Sequence, residues 1–205
     1  MQLEIFSNKQ LELLPFISQF RRGFYLVGGT AVALYIGHRR SIDFDLFTEK
    51  KLNRSRLKQK VFGLPYHKHI LYDDIDQIHF FINEVKITFF HYPYPLEHIC
   101  MLENIISMPS LLSLAAMKAY ALGRRAKWKD YVDLYFIING YFSIEDISME
   151  AKGIFGQLFS EKLFREQLAF HKDIDYAEQI EFMPGFKVPD KKIKDFLIDA
   201  SLQVI

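Results

Sequence analysis

One stretch of the chain decides how its fold is interpreted: residues 26–47, LVGGTAVALYIGHRRSIDFDLF. It predicts a strand, a tight glycine turn, a short helix and a second strand that carries Asp43 and Asp45. Because strand side chains alternate between the two faces of a sheet, both carboxylates are expected on one face. The second strand should be held in the core by its apolar residues, Ile42, Phe44, Leu46 and Phe47.

Two carboxylates on one side of a rigid strand are typical of a magnesium site, since Mg²⁺ takes one or two carboxylates and completes its shell with water and phosphates. Gly28, Gly29 and Thr30 add a turn that lets backbone N–H groups approach a phosphate at a helix N-terminus. The alternatives are a plain turn, and an ion pair of the two acids with Arg39 or Arg40. Both features in one short segment indicate nucleotide chemistry.

A second segment, residues 118–135, reads KAYALGRRAKWKDYVDLY. Lys118 is the one cation on an apolar helix predicted over 110–122, where it either reaches a phosphate or snorkels to water. Asp130 and Asp133 share one helix face. Asp130 is expected to orient Lys118, to bind the nucleotide or to cap the helix. The run 124–129 is either an RNA contact with Trp128 stacked on a base, or an ordinary turn with Trp128 packed below it.

Together the two segments resemble motifs of the AbiEii/AbiGii toxin family, which belongs to the DNA polymerase β-like nucleotidyltransferase superfamily. The resemblance spans roughly residues 24 to 138. It implies that Asp43 and Asp45 are catalytic and hold Mg²⁺, and that Lys118 and Asp130 are catalytic as well. It also implies nucleotide-binding residues, which are Gly28, Gly29, Thr30, Arg40 and Asp133.

One position departs from the superfamily pattern. A third carboxylate on a neighbouring strand often completes the metal site and serves as the base, but here that strand, 84–90, holds Thr88. Threonine cannot accept a proton at neutral pH. Three explanations follow: Asp130 or Asp133 supplies the third acid, the enzyme works without it, or activity has been lost. The resemblance favours the first.

Composition sets wider limits. The chain has 205 residues, half of them hydrophobic, enough for one large domain or two small ones. No apolar run reaches about 18 residues, so no membrane span is predicted, and the N-terminus lacks the order of a secretory signal. A single cysteine suits a reducing compartment, so we expect a cytoplasmic protein. With a net charge of +1, any RNA contact must come from local patches.

The hydrophobic pattern predicts strands at 25–27, 42–47, 69–72, 77–82, 85–91 and 104–108. Helices are predicted at 2–20, with a kink or break at Pro15, and at 30–36, 54–62 and 110–122. Everything after residue 110 is expected to be helical, with helix starts at Ser143, Ser160 and Asp190 and with breaks at 183–185 (Met-Pro-Gly) and 188–189 (Val-Pro). Asn53 should cap helix 54–62, whose cations are expected to form one solvated face: Arg54, Arg56, Lys58 and Lys60.

The order of elements predicts an α+β fold. Residues 1–108 would form a nucleotidyltransferase core with a mixed sheet, and residues 109–205 a helical portion that closes the cleft in which nucleotide and acceptor meet. The expected function is Mg²⁺-dependent transfer of a nucleotide from an NTP to an acceptor hydroxyl. The resemblance implies the toxin of a bacterial toxin–antitoxin pair, with a tRNA 3′ end or another RNA as acceptor and a cognate antitoxin as partner. The alternatives are a degenerate nucleotide-binding protein and a plain RNA-binding protein.

Overall fold

The computed structural model describes residues 1–203 and divides the chain into two compact units. The first unit comprises Met1–Leu34 and Ser41–Ser110. The second comprises Tyr35–Arg40 and the chain from Leu111 onward. The short segment Tyr35–Arg40 therefore groups with the second unit, although the sequence places it within the first hundred residues.

A seven-stranded mixed sheet builds the first unit. Its strands are β1 (Tyr25–Val27), β2 (Phe44–Thr48), β3 (Lys68–Asp73), β4 (Gln77–Ile82), β5 (Val85–His91), β6 (Cys100–Leu102) and β7 (Ile106–Met108). The strand order is β3-β4-β5-β2-β1-β7-β6. The pairs β2–β5 and β1–β7 are parallel, and the other neighbours are antiparallel. A mixed sheet followed in sequence by helices confirms the α+β class.

The predicted strand of residues 42–47 begins later than expected. The strand β2 starts at Phe44, and Ile42 is 62% exposed, so its expected place in the core is wrong. Residues 41–43 are held instead by Thr30, whose hydroxyl donates to the carbonyl oxygen of Asp43. The alternation of β2 is otherwise as predicted, with Phe44 and Leu46 fully buried and Asp45 half-buried between them.

The strands predicted at 69–72, 77–82 and 85–91 are confirmed as β3, β4 and β5, which form an antiparallel meander. The turn between β4 and β5 uses Asn83 and Glu84 with φ of 51° and 63°, which is the geometry of a tight two-residue hairpin. The strand β6 was not predicted. Its three residues carry no clear alternation, and pairing with β7 creates it.

Three helices belong mainly to the first unit: α1 (Asn8–Ser18), α2 (Gly28–Ile36) and α3 (Arg54–Phe62). Ser7 starts α1 with a capping box to Gln10, and Asn53 caps α3 by accepting from Arg56 N, as predicted. Pro15 lies inside α1 without ending it, so of the two predicted outcomes, a kink or a break, the break is excluded. A proline φ is compatible with a helix, and the missing N–H removes one hydrogen bond of the ladder.

The second unit holds the helices α4 (Leu111–Leu122), α5 (Trp128–Gly140), α6 (Ile144–Phe155), α7 (Glu161–Ala169) and α8 (Asp190–Leu202). Ser143 forms a capping box with Asp146, and Ser160 caps α7, which confirms both predicted starts. The predicted start of α8 at Asp190 is confirmed as well. Within residues 1–203, no helix combines the length and the apolar character needed to cross a membrane.

Residues 170–189 contain no helix. The breaks predicted at 183–185 and 188–189 are confirmed, whereas the helix expected over the rest of this segment is absent. The backbone of residues 170–189 instead pairs with other segments of the second unit. Phe182 forms a β-bridge with Arg39, and Asp175 forms one with Lys127. Arg40 N donates to Glu181 O at 2.9 Å, and Met183 N donates to His38 O at 3.0 Å. These backbone pairs with other segments take the place of part of a helical hydrogen-bond ladder.

Candidate active site

Gly28 brings the turn after β1 against Asp45. Its φ is 74°, in the left-handed region that favours glycine. A Cβ at this position would overlap Asp45 Oδ2 and would lie 3.2 Å from Asp45 Cγ. Glycine is therefore required by the backbone conformation and also by the close approach of the carboxylate.

Thr30 holds the connection that leads into β2. Its buried hydroxyl donates to the carbonyl oxygen of Asp43 and lies 2.9 Å from Ser41 Oγ. Asp43 directly precedes the strand, and Asp45 is its second residue. The structure thus brings the glycine turn, Thr30 and both acids together in the first unit. A phosphate contact of Gly28, Gly29 and Thr30 stays a prediction.

Asp45 lies beside Thr88 in the sheet. The register pairs Asp45 with Val27 on β1 and with Thr88 on β5, and it pairs Thr88 with His79 on β4. Side chains of directly paired residues project from the same face of a sheet. Asp45, Thr88 and His79 therefore form one row across three strands. Thr88 occupies the position next to Asp45 at which the superfamily pattern leads one to expect a third acid.

Asp45 fits a magnesium ligand. Its carboxylate is half-buried and makes no hydrogen bond or ion pair to any residue between 1 and 203. An anion in such a place is costly without a counter-ion, and carboxylate oxygen is a hard ligand. No group of three or more His, Cys, Asp or Glu residues in the described chain is arranged to hold a metal. The two acids therefore suit an ion whose other ligands are water and substrate phosphate.

Arg39 pairs with Asp133, and Arg40 contacts Glu181. Arg39 binds Asp133 through two nitrogens, with Nε to Oδ1 at 2.7 Å and Nη2 to Oδ2 at 2.9 Å. Arg40 Nε lies 2.7 Å from Glu181 Oε1. Arg39 is thus committed to the second unit. The predicted contact of Arg40 with the nucleotide stays a prediction.

Lys118, Asp130 and Asp133 form a buried ionic cluster in the second unit. Lys118 Nζ lies 2.6 Å from Asp130 Oδ1 and 2.6 Å from Asp133 Oδ2. Asp133 also accepts from Arg39 and contacts His38 Nε2 at 2.7 Å. Both carboxylates are fully buried, and Lys118 is 5% exposed. Two buried anions thus face two buried cations, a neutral set that satisfies the rule for burying charge.

The pKa values follow from this pairing. Burial alone would raise the pKa of Asp133, but Arg39 and Lys118 hold it well below its usual range. Burial opposes the charge on Lys118, yet Asp130 and Asp133 raise its pKa. Burial lowers the pKa of His38 despite its contact with Asp133. His38 is therefore neutral near pH 7 and donates from Nε2, while Nδ1 has no partner in the described chain.

The basic run 124–129 is paired internally. Trp128 is 4% exposed and packs near Tyr176, with ring centroids 5.4 Å apart. Lys127 and Lys129 both bind Glu178. Arg125 Nε donates to Asp130 Oδ2 at 3.1 Å. Of the two interpretations left open by the sequence, these contacts favour the ordinary turn, because the indole face is covered.

Comparison with solved structures finds proteins of the same fold. The chain is similar to JHP933 of Helicobacter pylori, with 20% identity, a TM-score of 0.56, and coverage of 95% of this chain and 91% of that one. It is also similar to MenT4, a nucleotidyltransferase toxin of Mycobacterium tuberculosis H37Rv, with 13% identity, a TM-score of 0.63, and coverage of 94% and 80%. These likenesses concern the fold.

Sequence comparison identifies the family. The family model described as the nucleotidyl transferase AbiEii toxin of a type IV toxin–antitoxin system matches residues 16–200. The chain belongs to this family, and membership supports nucleotidyl transfer as its chemistry and a toxin as its class. The match extends well beyond residues 24–138. An uncharacterized protein of Aquifex aeolicus (strain VF5), aq_aa25, is 30% identical over 192 residues, covering 85% of this chain and 88% of its own.

Sequence reasoning did not foresee the part played by His38 and Arg39 in the ionic cluster. The signal was a His-Arg-Arg run between a helix and a strand, and Arg39 was considered only as a partner of Asp43 and Asp45. Its actual partner is 94 residues away in the sequence. Such a distant pairing has no local pattern.

Replacing Asp133 by Asn should destabilise the protein by about 3–5 kcal/mol, because Arg39 and Lys118 stay buried with one carboxylate fewer. A depressed carboxyl pKa contributes stability that is present above the unfolded-state pKa of about 3.9 and is lost as the pH falls through the folded value. The wild type should therefore lose stability below about pH 4–5, and D133N should lose less over that range. Urea unfolding at pH 7 and in acid measures both effects.

The matched control is Asp195→Asn, which removes an exposed carboxylate that pairs with Lys191 on α8. It should change the stability by less than about 1 kcal/mol. Equal effects of the two variants would contradict the importance assigned to the buried cluster.

Gly28→Ala should destabilise the protein by about 1–3 kcal/mol, because alanine is strained at positive φ and its Cβ would collide with Asp45. The control is Gly153→Ala in the last turn of α6, where a Cβ meets nothing within 4 Å. That change should stabilise the protein by roughly 0.5–1 kcal/mol. Urea midpoints of both variants test the pair, and a neutral Gly28→Ala would show that the turn adjusts freely.

Proposed function

We propose that this protein transfers a nucleotide from a Mg²⁺-bound NTP to a hydroxyl of an acceptor, and that the acceptor is an RNA, with a tRNA 3′ end as the first candidate. The observation that carries the proposal is Asp45: a half-buried carboxylate without a hydrogen bond or ion pair to residues 1–203, set against the Gly28 turn. Family membership supports the transfer chemistry. The magnesium ion, the donor and the acceptor are our own inference.

In this proposal Asp43 and Asp45 hold Mg²⁺, which neutralises charge on the triphosphate when it is bound. Backbone N–H groups of Gly28, Gly29 and Thr30, at the N-terminus of α2, bind phosphate oxygens. The acceptor oxygen forms a bond to the α-phosphorus, the bond from that phosphorus to the bridging oxygen breaks, and pyrophosphate leaves. The proton of the acceptor hydroxyl passes to a base.

Roles in the second unit follow from the family resemblance. Lys118 is proposed to offset charge on the leaving pyrophosphate, and Asp133 and Arg40 to contribute to nucleotide binding. Asp130 was expected to be either base or orienter. Its 2.6 Å contact with Lys118 and its lowered pKa support the orienting role, because burial is outweighed by Lys118 and Arg125 and the carboxylate is a poor proton acceptor.

A second candidate function rests on Thr88. Its position directly beside Asp45 lacks the third carboxylate, and hydroxyl oxygen is not a base at neutral pH. A degenerate member of the family would bind Mg²⁺–NTP without turnover. Binding measured with a non-hydrolysable NTP, compared with transfer measured on the same sample, distinguishes this protein from an active transferase.

The transferase is tested by incubating the protein with Mg²⁺, each labelled NTP in turn, and total tRNA, whole-cell RNA or the protein itself as acceptor. Asp43→Asn and Asp45→Asn should each reduce the labelling by about 100-fold or more, since metal coordination contributes several kcal/mol to such reactions. Asp199→Asn, at an exposed position on α8, should leave it unchanged.

Labelling that persists in Asp45→Asn would exclude this residue as the metal ligand. Labelling of protein but not of RNA would overturn the RNA acceptor and keep the transferase. Absence of label with every NTP, together with NTP binding, would favour the degenerate function. Chelation of Mg²⁺ by EDTA should abolish labelling, and restored Mg²⁺ should recover it.

A further inference from the structure

A basic pocket of about 360 Å³ lies in the first unit, away from Asp45. It is formed by the chain that follows α1, the end of β2 with its loop, and one side of α3. Thr48 contributes from β2, three residues after Asp45 and on the opposite face of the sheet, since successive strand residues alternate. The pocket is therefore separate from the row of Asp45, Thr88 and His79.

The lining carries five cations and no carboxylate: Arg22, Lys50, Lys51, Arg56 and Lys60. None of the five forms an ion pair with any residue from 1 to 203. Lys60 Nζ donates to Gln19 Oε1 at 3.1 Å and stands 5.4 Å from the centre of the Phe20 ring. A protein with a net charge of +1 thus concentrates unneutralised positive charge around one cavity.

The four cations of α3 do not form one solvated face, because two of them face the pocket and two contact an acid. Its four cations occupy every second position, and the sequence predicts one solvated face for them. The helical period separates them into two pairs at i and i+4. Arg54 and Lys58 both contact Asp73, at 3.4 and 2.5 Å, whereas Arg56 and Lys60 face the pocket without an acid. Asp73 contacts both members of one pair and offsets one of their two charges, whereas the other pair has no acid partner and remains available to a ligand.

The rest of the lining indicates the kind of anion. Phe24 supplies a partly exposed aromatic ring between the cations, and it packs on the buried ring of Phe20. A cationic groove with an aromatic surface is the arrangement with which proteins hold single-stranded nucleic acid, phosphates on the cations and bases on the rings. An acidic peptide would match the charge alone.

We propose that this pocket binds a nucleotide of a single-stranded RNA segment, with Arg56 and Lys60 on its phosphates and Phe24 against a base. The inference deepens the proposed function and rests on it for the idea that this RNA is the acceptor. The pocket holds the RNA at a distance from the reacting hydroxyl. Binding therefore requires neither NTP nor Asp45.

The test measures binding of a fluorescein-labelled single-stranded RNA of mixed sequence and of total tRNA, by anisotropy, without NTP and over a series of salt concentrations. The pocket variant is Arg56→Gln with Lys60→Gln. The control is Arg54→Gln with Lys58→Gln, which has the same helix, spacing and change of charge. The pocket variant should bind about tenfold or more weakly, and its slope of log K against log salt should fall by about 1.4, since each phosphate contact contributes about 0.7 on single strands.

The control variant should bind RNA like the wild type. The control variant loses the contacts with Asp73, so we expect it to be no more stable than the pocket variant. Thermal unfolding of both variants therefore shows whether a loss of RNA binding is caused by misfolding. Equal weakening in the two variants would reduce the effect to net charge and overturn the proposal. Unchanged binding in the pocket variant would overturn it as well.

A labelled poly-glutamate peptide of similar length is the probe for the other occupant. The proposal is wrong if binding of the peptide depends on Arg56 and Lys60 while binding of RNA does not. The pocket would then bind an acidic protein segment. Asp45→Asn should retain RNA binding while it loses transfer. A failed transferase with intact, pocket-dependent RNA binding would therefore overturn the proposed function alone.

Discussion

Neutralisation of two buried carboxylates is the constraint on which the second unit depends. Asp130 and Asp133 are fully buried, and each would be strongly destabilising if it had no cation. Lys118 bridges them, and Arg39 completes the set on Asp133. Removing any one member leaves an unpaired buried charge, so the four side chains behave as a unit.

The same cluster explains why the short segment Tyr35–Arg40 belongs to the second unit with the helices. Tyr35–Arg40 is tied by its side chains to α4 and α5 through Asp133, and by its backbone to residues 181–183. Residues 170–189 are irregular because their N–H and C=O groups pair with the segment Tyr35–Arg40 and with Lys127. Residues that look like loops in the sequence are therefore essential to the packing of the second unit.

Two aspartates of the motif segments illustrate how burial assigns roles. Asp133 has its charge fully offset by Arg39 and Lys118, and it contributes to the stability of the fold whatever else it does. Asp45 is half-buried, and residues 1–203 offer it no hydrogen bond or ion pair. The sequence shows both simply as aspartates near basic residues. The difference lies in their environment.

Local patterns predicted the elements whose stability is local. The helix start at Ser143 and the cap at Asn53 were correct, as were the two strands that flank Asn83–Glu84 and the position of Thr88 on the strand beside Asp45. Predictions failed where distant contacts decide. The hydrogen bond from Thr30 holds residues 41–43 outside the strand, and pairing with β7 forms β6. Backbone pairing with the segment 35–40 replaces a helix in residues 170–189.

Whether a basic residue keeps its charge unpaired also depends on partners that are distant in the sequence. This affects which surface is the better candidate for binding RNA. The basic run 124–129 is the most conspicuous in the sequence, yet three of its cations face Glu178 or Asp130 and its tryptophan is buried. The cations around the α3 pocket are scattered over residues 22–60, and no acid neutralises them within the described chain. Electrostatic attraction for a polyanion depends on charge that the protein leaves unpaired, not on the density of basic residues in the sequence. The pocket therefore meets that condition better than the turn.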